Sequence, residues 1–201
     1  MKRTLPIATA VVAVFCMTAL AGRARPRTHQ DVPPAAAVED PEAYAVYAAV
    51  LPAGPDAKRR QPTRYVVRRE SVRCTLTGEP GDPAWRPVIA NYATANAQPR
   101  VLREGFSLGR PYTVVPQAEI EALFVPVEQG WARFFERYAG VQGYDAMSAV
   151  GFDTAKTLAV VSVENHCHYL CGHGRTVFLR KTSGAWQPTA VPGVQGCEWV
   201  S

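Results

Sequence analysis

Apolar residues recur with helical spacing in four stretches of the chain. The first two follow residues that begin helices well, Asp40-Pro41 and Asp82-Pro83. In chain order the stripes comprise Tyr44, Tyr47, Ala48 and Leu51; Trp85, Val88, Ile89 and Tyr92; a shorter turn over residues 117–124; and Trp131, Phe134, Phe135 and Tyr138. This spacing predicts short amphipathic helices whose aromatic side chains face a core rather than a ligand.

Runs rich in β-branched and aromatic residues predict strands between and after these helices. Residues 65–72 carry several charges within an alternating pattern, which predicts an edge strand. Later runs cover residues 147–152, 158–163 and 176–179, and Trp186 and residues 198–200 add the last strands. We therefore predict an α+β fold. A mostly antiparallel sheet from the C-terminal half is packed by roughly three to four short amphipathic helices from the N-terminal half.

The fourth aromatic stripe also predicts a packing partner. A helix with one apolar face buries that face against another layer, here the predicted sheet. We expect the stripe to lie against the sheet that contains Val150, Phe152, Val161, and Val177 or Phe178.

The start of the chain has the features of an export signal. Lys2 and Arg3 precede an apolar segment over residues 7–20, and Ala19-Leu20-Ala21 forms a small-x-small cleavage site. We predict a signal peptide over residues 1–21, with no transmembrane segment after cleavage and a periplasmic or secreted product. Lipidation of Cys16 is the alternative, although bulky Phe15 precedes it.

Composition separates a tail from a domain. Residues 22–37 are rich in Arg, Pro and Ala without an apolar period, which predicts a disordered tail. Residues 38–201 are long enough for a single globular domain. The chain has 22 basic and 17 acidic residues, and cleavage of the signal would leave 20 basic residues. That balance is too mild to indicate nucleic-acid binding.

Four cysteines remain after cleavage, and an exported chain usually oxidises an even number of them. Cys167 and Cys171 lie between two predicted strands. They can form a disulfide only if the chain turns between them, which Gly172 and Gly174 would favour. Cys74 and Cys197 then pair by elimination. This second bond would link an early strand to the C-terminus.

A set of motifs in the last third of the chain is similar to a known group of proteins. Its members include Trp131, Phe134-Phe135, Tyr138, Gly143-Tyr144, residues 148–152, the Leu170-Cys171-Gly172-x-Gly174 core, Lys181, Gly184 and Trp186. The pattern resembles an uncharacterised family of exported bacterial proteins. The resemblance implies a secreted domain, and it implies no activity.

Three of the four histidines, His166, His168 and His173, fall in the same connection as the cysteine pair. Residues two apart on a strand share a face, so His166 and His168 would point the same way, and His173 would approach from across the turn. Imidazole nitrogens suit zinc or copper, and a reduced cysteine would add a thiolate. A metal-binding site is therefore the alternative to a simple disulfide-stapled hairpin.

Two kinds of enzyme fit the sequence poorly. Thiol–disulfide enzymes have two residues between their cysteines and a βαβ context, whereas Cys167 and Cys171 have three residues between them. Ser148 and Ser162 lie in strand-like runs without the elbow motif of serine hydrolases. We interpret nearby Asp145 and Asp153 as turn residues. The sequence does not establish an enzyme.

A run of basic residues lies around the first predicted strand: Lys58, Arg59, Arg60, Arg64, Arg68, Arg69 and Arg73. Such charges protect an exposed sheet edge against pairing with other chains. The alternative is contact with an anionic envelope surface, above all through Lys58, Arg59, Arg60, Arg64 and Arg68.

These observations predict an exported, disulfide-stapled globular domain with a non-catalytic role in the envelope or outside the cell. The alternative function is binding of zinc or copper by the histidine cluster. The geometry of residues 166–173 distinguishes the two.

Overall fold

A computed structural model describes residues 35–51 and 62–201 of the chain. The predicted signal peptide with Cys16, most of the predicted tail, and Lys58, Arg59 and Arg60 lie outside this described part. Within it, no helix is long and apolar enough to cross a membrane. The last residues of the predicted tail do pair with the domain, since Ala37 forms a β-bridge with Val101 and the Val101 amide donates to the Ala36 carbonyl.

The described residues contain α-helices at the four places where apolar stripes predict them. They are α1 (Pro41–Val50), α2 (Arg86–Ala95), α3 (Gln117–Leu123) and α4 (Gly130–Arg137). Asp40 begins α1 by accepting a hydrogen bond from the Glu42 amide at 3.0 Å. Asp82 likewise caps a 3₁₀ turn, Pro83–Trp85, that leads into α2. The caps act because the first amides of a helix have no partner within the helix.

The strands are β1 (Tyr65–Arg68), β2 (Thr77–Gly78), β3 (Tyr112–Val115), β4 (Tyr144–Met147), β5 (Gly151–Phe152), β6 (Leu158–His166), β7 (His173–Thr182), β8 (Ala185–Thr189), β9 (Val194–Gln195) and β10 (Trp199–Val200). The main sheet has the order β10-β7-β6-β4-β1-β3, with β5 also on β6 and β8 also on β7. Only the pairings of β1 with β3 and β4 are parallel in this sheet. The fold is thus α+β with a mostly antiparallel sheet. The predicted division into N-terminal helices and C-terminal strands is not reproduced, because α3 and α4 come after β1, β2 and β3.

Strand β1 is interior, and the prediction of an edge strand here is wrong. It lies between β3 and β4, and Tyr65, Val66 and Val67 are all buried. A parallel strand covered on both faces has a continuous apolar run rather than an alternating one. Residues 65–67 form such a continuous apolar run. The arginines on either side of the run led to the prediction of an edge strand.

Strand lengths also differ from the prediction. Both strands of the central hairpin are longer than predicted, so the connection between β6 and β7 shortens to residues 167–172. The predicted strand over residues 147–152 is instead divided into β4 and β5. Between them, the Ser148 amide donates to the Ser162 carbonyl. The Ala149 amide donates to Oδ1 of Asn96, the residue that follows α2.

The helices cover both faces of the sheet. Helix α1 packs on the face that carries Met147, Val161 and Leu179. Helix α2 packs on the opposite face at one end, over Val160 and Phe178. Helices α3 and α4 cover that same face at the other end, over Val66 and Val115.

The aromatic stripe of α4 faces the main sheet, as predicted. Trp131, Phe134 and Tyr138 are buried, and Phe135 is half-buried. The sheet residues in the same cluster are Val66 of β1 and Val115 of β3. The other sheet residues named in the prediction belong to the two clusters beneath α1 and α2: Val150, Phe152, Val161, Val177 and Phe178. Adjacent strand positions face opposite sides, so Val161 belongs to the face beneath α1.

Candidate functional site

The connection between β6 and β7 brings together most of the residues to which the sequence assigned chemistry. A disulfide joins Cys167 to Cys171, whose Cα atoms are 5.5 Å apart. A second disulfide joins Cys74 to Cys197 with a Cα separation of 5.7 Å. The chain therefore contains both of the cysteine pairs that the sequence indicated. Neither cysteine pair supplies a thiolate in this state.

The sheet separates two of the three histidines. His166 is the last residue of β6, and the neighbouring Asn165 is directly opposite His173 of β7. Directly opposite residues share a face, and successive residues alternate, so His166 and His173 lie on opposite faces of the sheet. His168 lies in a bend beyond the end of β6.

This placement bears on the metal hypothesis. Among the described residues, no group of three or more His, Cys, Asp or Glu side chains could hold a metal ion. Zinc or copper binding by His166, His168 and His173 stays an untested prediction, and the backbone register gives it no support.

Two of the histidines instead belong to an aromatic column, formed by His166, Tyr144, Trp131 and His168. Their rings are nearly parallel, and successive ring centroids lie 4.7, 6.1 and 6.0 Å apart. His166 also contacts Glu164, since Oε2 of Glu164 lies 3.0 Å from Nε2 of His166. The column connects α4 to the sheet and to the β6–β7 connection, so it positions that connection rather than leaving it as a free loop.

Trp199 of β10 completes this face by packing on glycine backbone. A Cβ on Gly174 would lie 2.1 Å from Nε1 of Trp199, and one on Gly172 would lie 2.9 Å from the same ring. Neither glycine has the positive φ that a turn glycine uses. In this structure the two glycines provide room for the indole of Trp199 and do not adopt the left-handed backbone of a turn.

The opposite face of the same sheet end holds a buried polar group. Oδ1 of Asp145 on β4 accepts a hydrogen bond from Nδ2 of Asn165 at 2.9 Å. Burial raises the pKa of Asp145 to about 6, although Asn165, His166 and Arg175 oppose that rise. Arg175 donates from Nη2 to the Val50 carbonyl at 3.1 Å, and burial lowers its pKa.

The two aspartates considered in the sequence thus have different roles. Asp153 is a turn residue as predicted, because Oδ1 accepts hydrogen bonds from the amides of Thr157 and Leu158, each at 2.7 Å. Asp145 is not a turn residue. It lies within β4, which begins at Tyr144, three residues before the start of the strand predicted from the sequence.

The two serines have structural partners. Oγ of Ser162 lies 2.9 Å from the Tyr92 hydroxyl and 2.9 Å from Oγ1 of Thr176. Ser148 Oγ donates to the Ala149 carbonyl and accepts from the Ser162 amide. Both serines are buried. A hydroxyl held in this way joins α2 to the sheet and is poorly placed to act as a nucleophile.

An exposed apolar surface includes part of the loop that the Cys167–Cys171 disulfide closes. It consists of Val125 and Val127 before α4 together with Tyr169 and Leu170, and it is called the tip from here on. Leu170 is 84 % exposed and Val125 is 73 % exposed. The Tyr169 hydroxyl donates to the Val127 carbonyl, which joins the two loops. Sequence periodicity could not reveal the tip, because its residues belong to two separate loops.

The described basic residues within and beside β1 make polar contacts within the fold. Arg64 donates from Nη2 to Oγ1 of Thr113 at 2.7 Å, and Nε of Arg68 donates to the Glu70 carbonyl at 2.9 Å. Arg69 pairs with Glu70 at 3.2 Å. Arg64 precedes β1 and Arg68 is its last residue, and both are partly buried beside an interior strand rather than on a solvated sheet edge.

Comparison of the chain with protein-family models, with curated proteins and with solved structures finds no match. The resemblance to exported bacterial proteins consequently stays a prediction from the sequence.

Proposed function

We propose that this chain is an exported, non-catalytic domain of the bacterial envelope or extracellular space that binds a partner through the tip. One observation carries the export part, namely the position of the Cys74–Cys197 bond. Cys74 is 8 % exposed and packs with Trp85, Val88 and Tyr92 in the cluster beneath α2. A disulfide within a core has to form as the protein folds, and oxidising compartments permit that.

The proposed leader agrees with this assignment. Residues 1–21 have the composition of a signal peptide, and the resemblance to exported bacterial proteins points to the same compartment. Retention through a lipid on Cys16 would be the other route to the envelope.

The binding role is supported by the tip. Exposed large hydrophobic side chains cost solvation free energy and promote association, so a group of them on joined loops is typical of an interaction site. The Cys167–Cys171 bond and the aromatic column hold these loops in place, so little conformational entropy would be lost on binding.

Processing and thiol state in the native host test the export part. The full chain is expressed there, the mature N-terminus is sequenced, and envelope and cytoplasmic fractions are alkylated before reduction. We expect a start at Gly22, an envelope location and no alkylated cysteine. A chain that still begins at Met1 or four alkylated thiols in the envelope fraction would contradict export and oxidation.

Photocrosslinking tests the binding part separately. A photoreactive amino acid replaces Leu170 at the tip or, as a control, Gln187, an exposed residue of β8 at the far end of β7. We expect discrete adducts from position 170 and none of these from position 187. The same adducts from both positions, or none from position 170, would contradict binding through the tip and leave the export result intact.

A further inference from the structure

A second part of the molecule has the form of a small-molecule site. A cavity of about 540 Å³ lies between the segment that precedes α1, one side of α2, and the turn after β5. This volume falls within the range of ligand pockets in proteins. One lining residue, Asp153, accepts a hydrogen bond from the amide of Leu158 at the start of β6, whereas the tip lies beyond His166 at the other end of that strand. Strand β6 has nine residues, so its two ends are about 26 Å apart.

Several of the residues that line the cavity are alanines, whose small side chains leave its volume unfilled. Ala95 lies one turn of α2 beyond Asn91, and Ala43 of α1 and Ala149 face the same space. The neighbouring positions Val88 and Tyr92 are fully buried in the core, so α2 presents separate sides to the core and to the cavity. Phe152 and Val150 supply an apolar wall.

Two cations line the cavity, and they differ in their partners. Nζ of Lys156 lies 2.7 Å from Oδ2 of Asp40, so those two charges balance each other. Nε of Arg100 donates to the Ala95 carbonyl at 3.2 Å. Within residues 35–51 and 62–201, no carboxylate forms an ion pair with Arg100. Its two Nη groups therefore retain the fork that binds a carboxylate with two hydrogen bonds.

The other carboxylates of the cavity already have donors. Oε1 of Glu39 pairs with Arg103 at 3.2 Å. Asp153 accepts hydrogen bonds from Thr157 and Leu158. Asn91 accepts the Phe152 amide on Oδ1 at 2.9 Å, which leaves its Nδ2 group as a donor. Arg100 and Asn91 thus favour an anionic acceptor in the ligand.

We propose that the cavity binds a small organic acid. Its carboxylate would pair with the Nη groups of Arg100, and its apolar body would lie against Phe152 and Val150. A bare inorganic anion would leave most of the volume and the apolar wall unused. This site is independent of the proposed tip contact, because it lies at the other end of β6.

Titration of the full chain, followed by amide shifts in heteronuclear NMR spectra, tests the proposal. The probes are benzoate, its neutral analogue benzamide, and inorganic phosphate. We expect saturable shifts at residues 149–153 with benzoate in the millimolar range. Benzamide and phosphate should bind at least about tenfold more weakly, because each lacks one of the two recognised features. Equal binding of benzoate and either other probe would overturn the assignment.

Three variants locate the site. Arg100→Gln keeps a donor for the Ala95 carbonyl but removes the charge, and it should weaken benzoate binding about tenfold or more. The matched control Arg137→Gln removes an exposed arginine on α4 and should bind as the parent does. Ala95→Leu fills the cavity, so it should abolish the benzoate shifts without lowering the melting temperature. Parent-like binding in Arg100→Gln or in folded Ala95→Leu would overturn the proposal. If Arg100→Gln does not fold, the comparison of the three probes and the Ala95→Leu variant still test whether the cavity binds an organic acid.

Discussion

At the scale of a residue, burial sets the protonation of one carboxylate. Asp145 lies within β4, has one amide hydrogen bond from Asn165, and has a pKa raised to about 6 from an ordinary value of 3.8. Between these two pH values the folded chain binds more protons at Asp145 than the unfolded chain does. Stability from this group therefore falls as the pH rises through that interval.

We predict that Asp145→Asn gains stability relative to the parent as the pH rises. The asparagine stays neutral, so it avoids the cost of burying a charge. Urea unfolding at about pH 4 and about pH 7.5 should show the difference in unfolding free energy move in favour of the variant by about 2–3 kcal/mol. A difference that is independent of pH would contradict the raised pKa.

Asp153→Asn is the matched control, because hydrogen bonds lower the pKa of Asp153 despite some burial. A lowered pKa stabilises the fold above the ordinary value of 3.8, and that contribution is lost as the pH falls through the folded-state pKa. The variant should therefore be less stable than the parent near neutral pH and should approach it in acid. The two variants should show opposite pH trends.

At the scale of an element, α4 depends on its aromatic stripe. Phe134 is completely buried among Trp131, Tyr138 and Tyr144, whereas Phe135 is half-buried. The helix has only eight residues, too few to be stable by hydrogen bonding alone. Packing of its buried face must therefore supply most of its stability.

We predict that Phe134→Ala lowers the unfolding free energy by about 3–5 kcal/mol, since the deletion loses buried area and leaves a cavity. Phe135→Ala should cost clearly less, because its ring still contacts solvent. Chemical denaturation of both variants measures the difference. Parent-like stability of Phe134→Ala would show that the stripe does not pack as described, while equal losses in both variants would contradict the difference in burial.

At the scale of the whole molecule, the two disulfides constrain very different lengths of chain. Cys74–Cys197 has a sequence separation of 123 and fastens the C-terminal segment to the cluster beneath α2. Cys167–Cys171 has a separation of four and constrains only the connection between β6 and β7. The entropy lost by the unfolded chain grows with the length of the closed loop.

Removal of each bond should consequently have a different effect. By the chain-entropy relation, Cys74→Ala/Cys197→Ala should lose about 5 kcal/mol, and Cys167→Ala/Cys171→Ala should lose about 2 kcal/mol. Urea unfolding of the two double variants makes the comparison. A greater loss from the short loop would show that the long bond is not the main covalent support of the fold.

Local patterns in the sequence predicted the elements that local forces control. Helix α1 follows from the cap at Asp40 and the apolar stripe behind it, and the β6–β7 hairpin follows from two β-branched runs. Caps and side-chain periodicity act over a few residues, so a single sequence contains them in full. The cysteine pairing required one more premise, an oxidising compartment.

Long-range pairing determined the remainder, including the candidate site. The interior position of β1 depends on contacts with β3 and with Asp145 of β4, far along the chain. The three histidines are close in sequence, but the period of two in a strand and the register of Asn165 with His173 place His166 and His173 on opposite faces. The tip and the cavity form where separate segments meet. Local sequence specifies the elements, whereas tertiary packing decides which side chains share a site, because register and facing depend on residues distant in the chain.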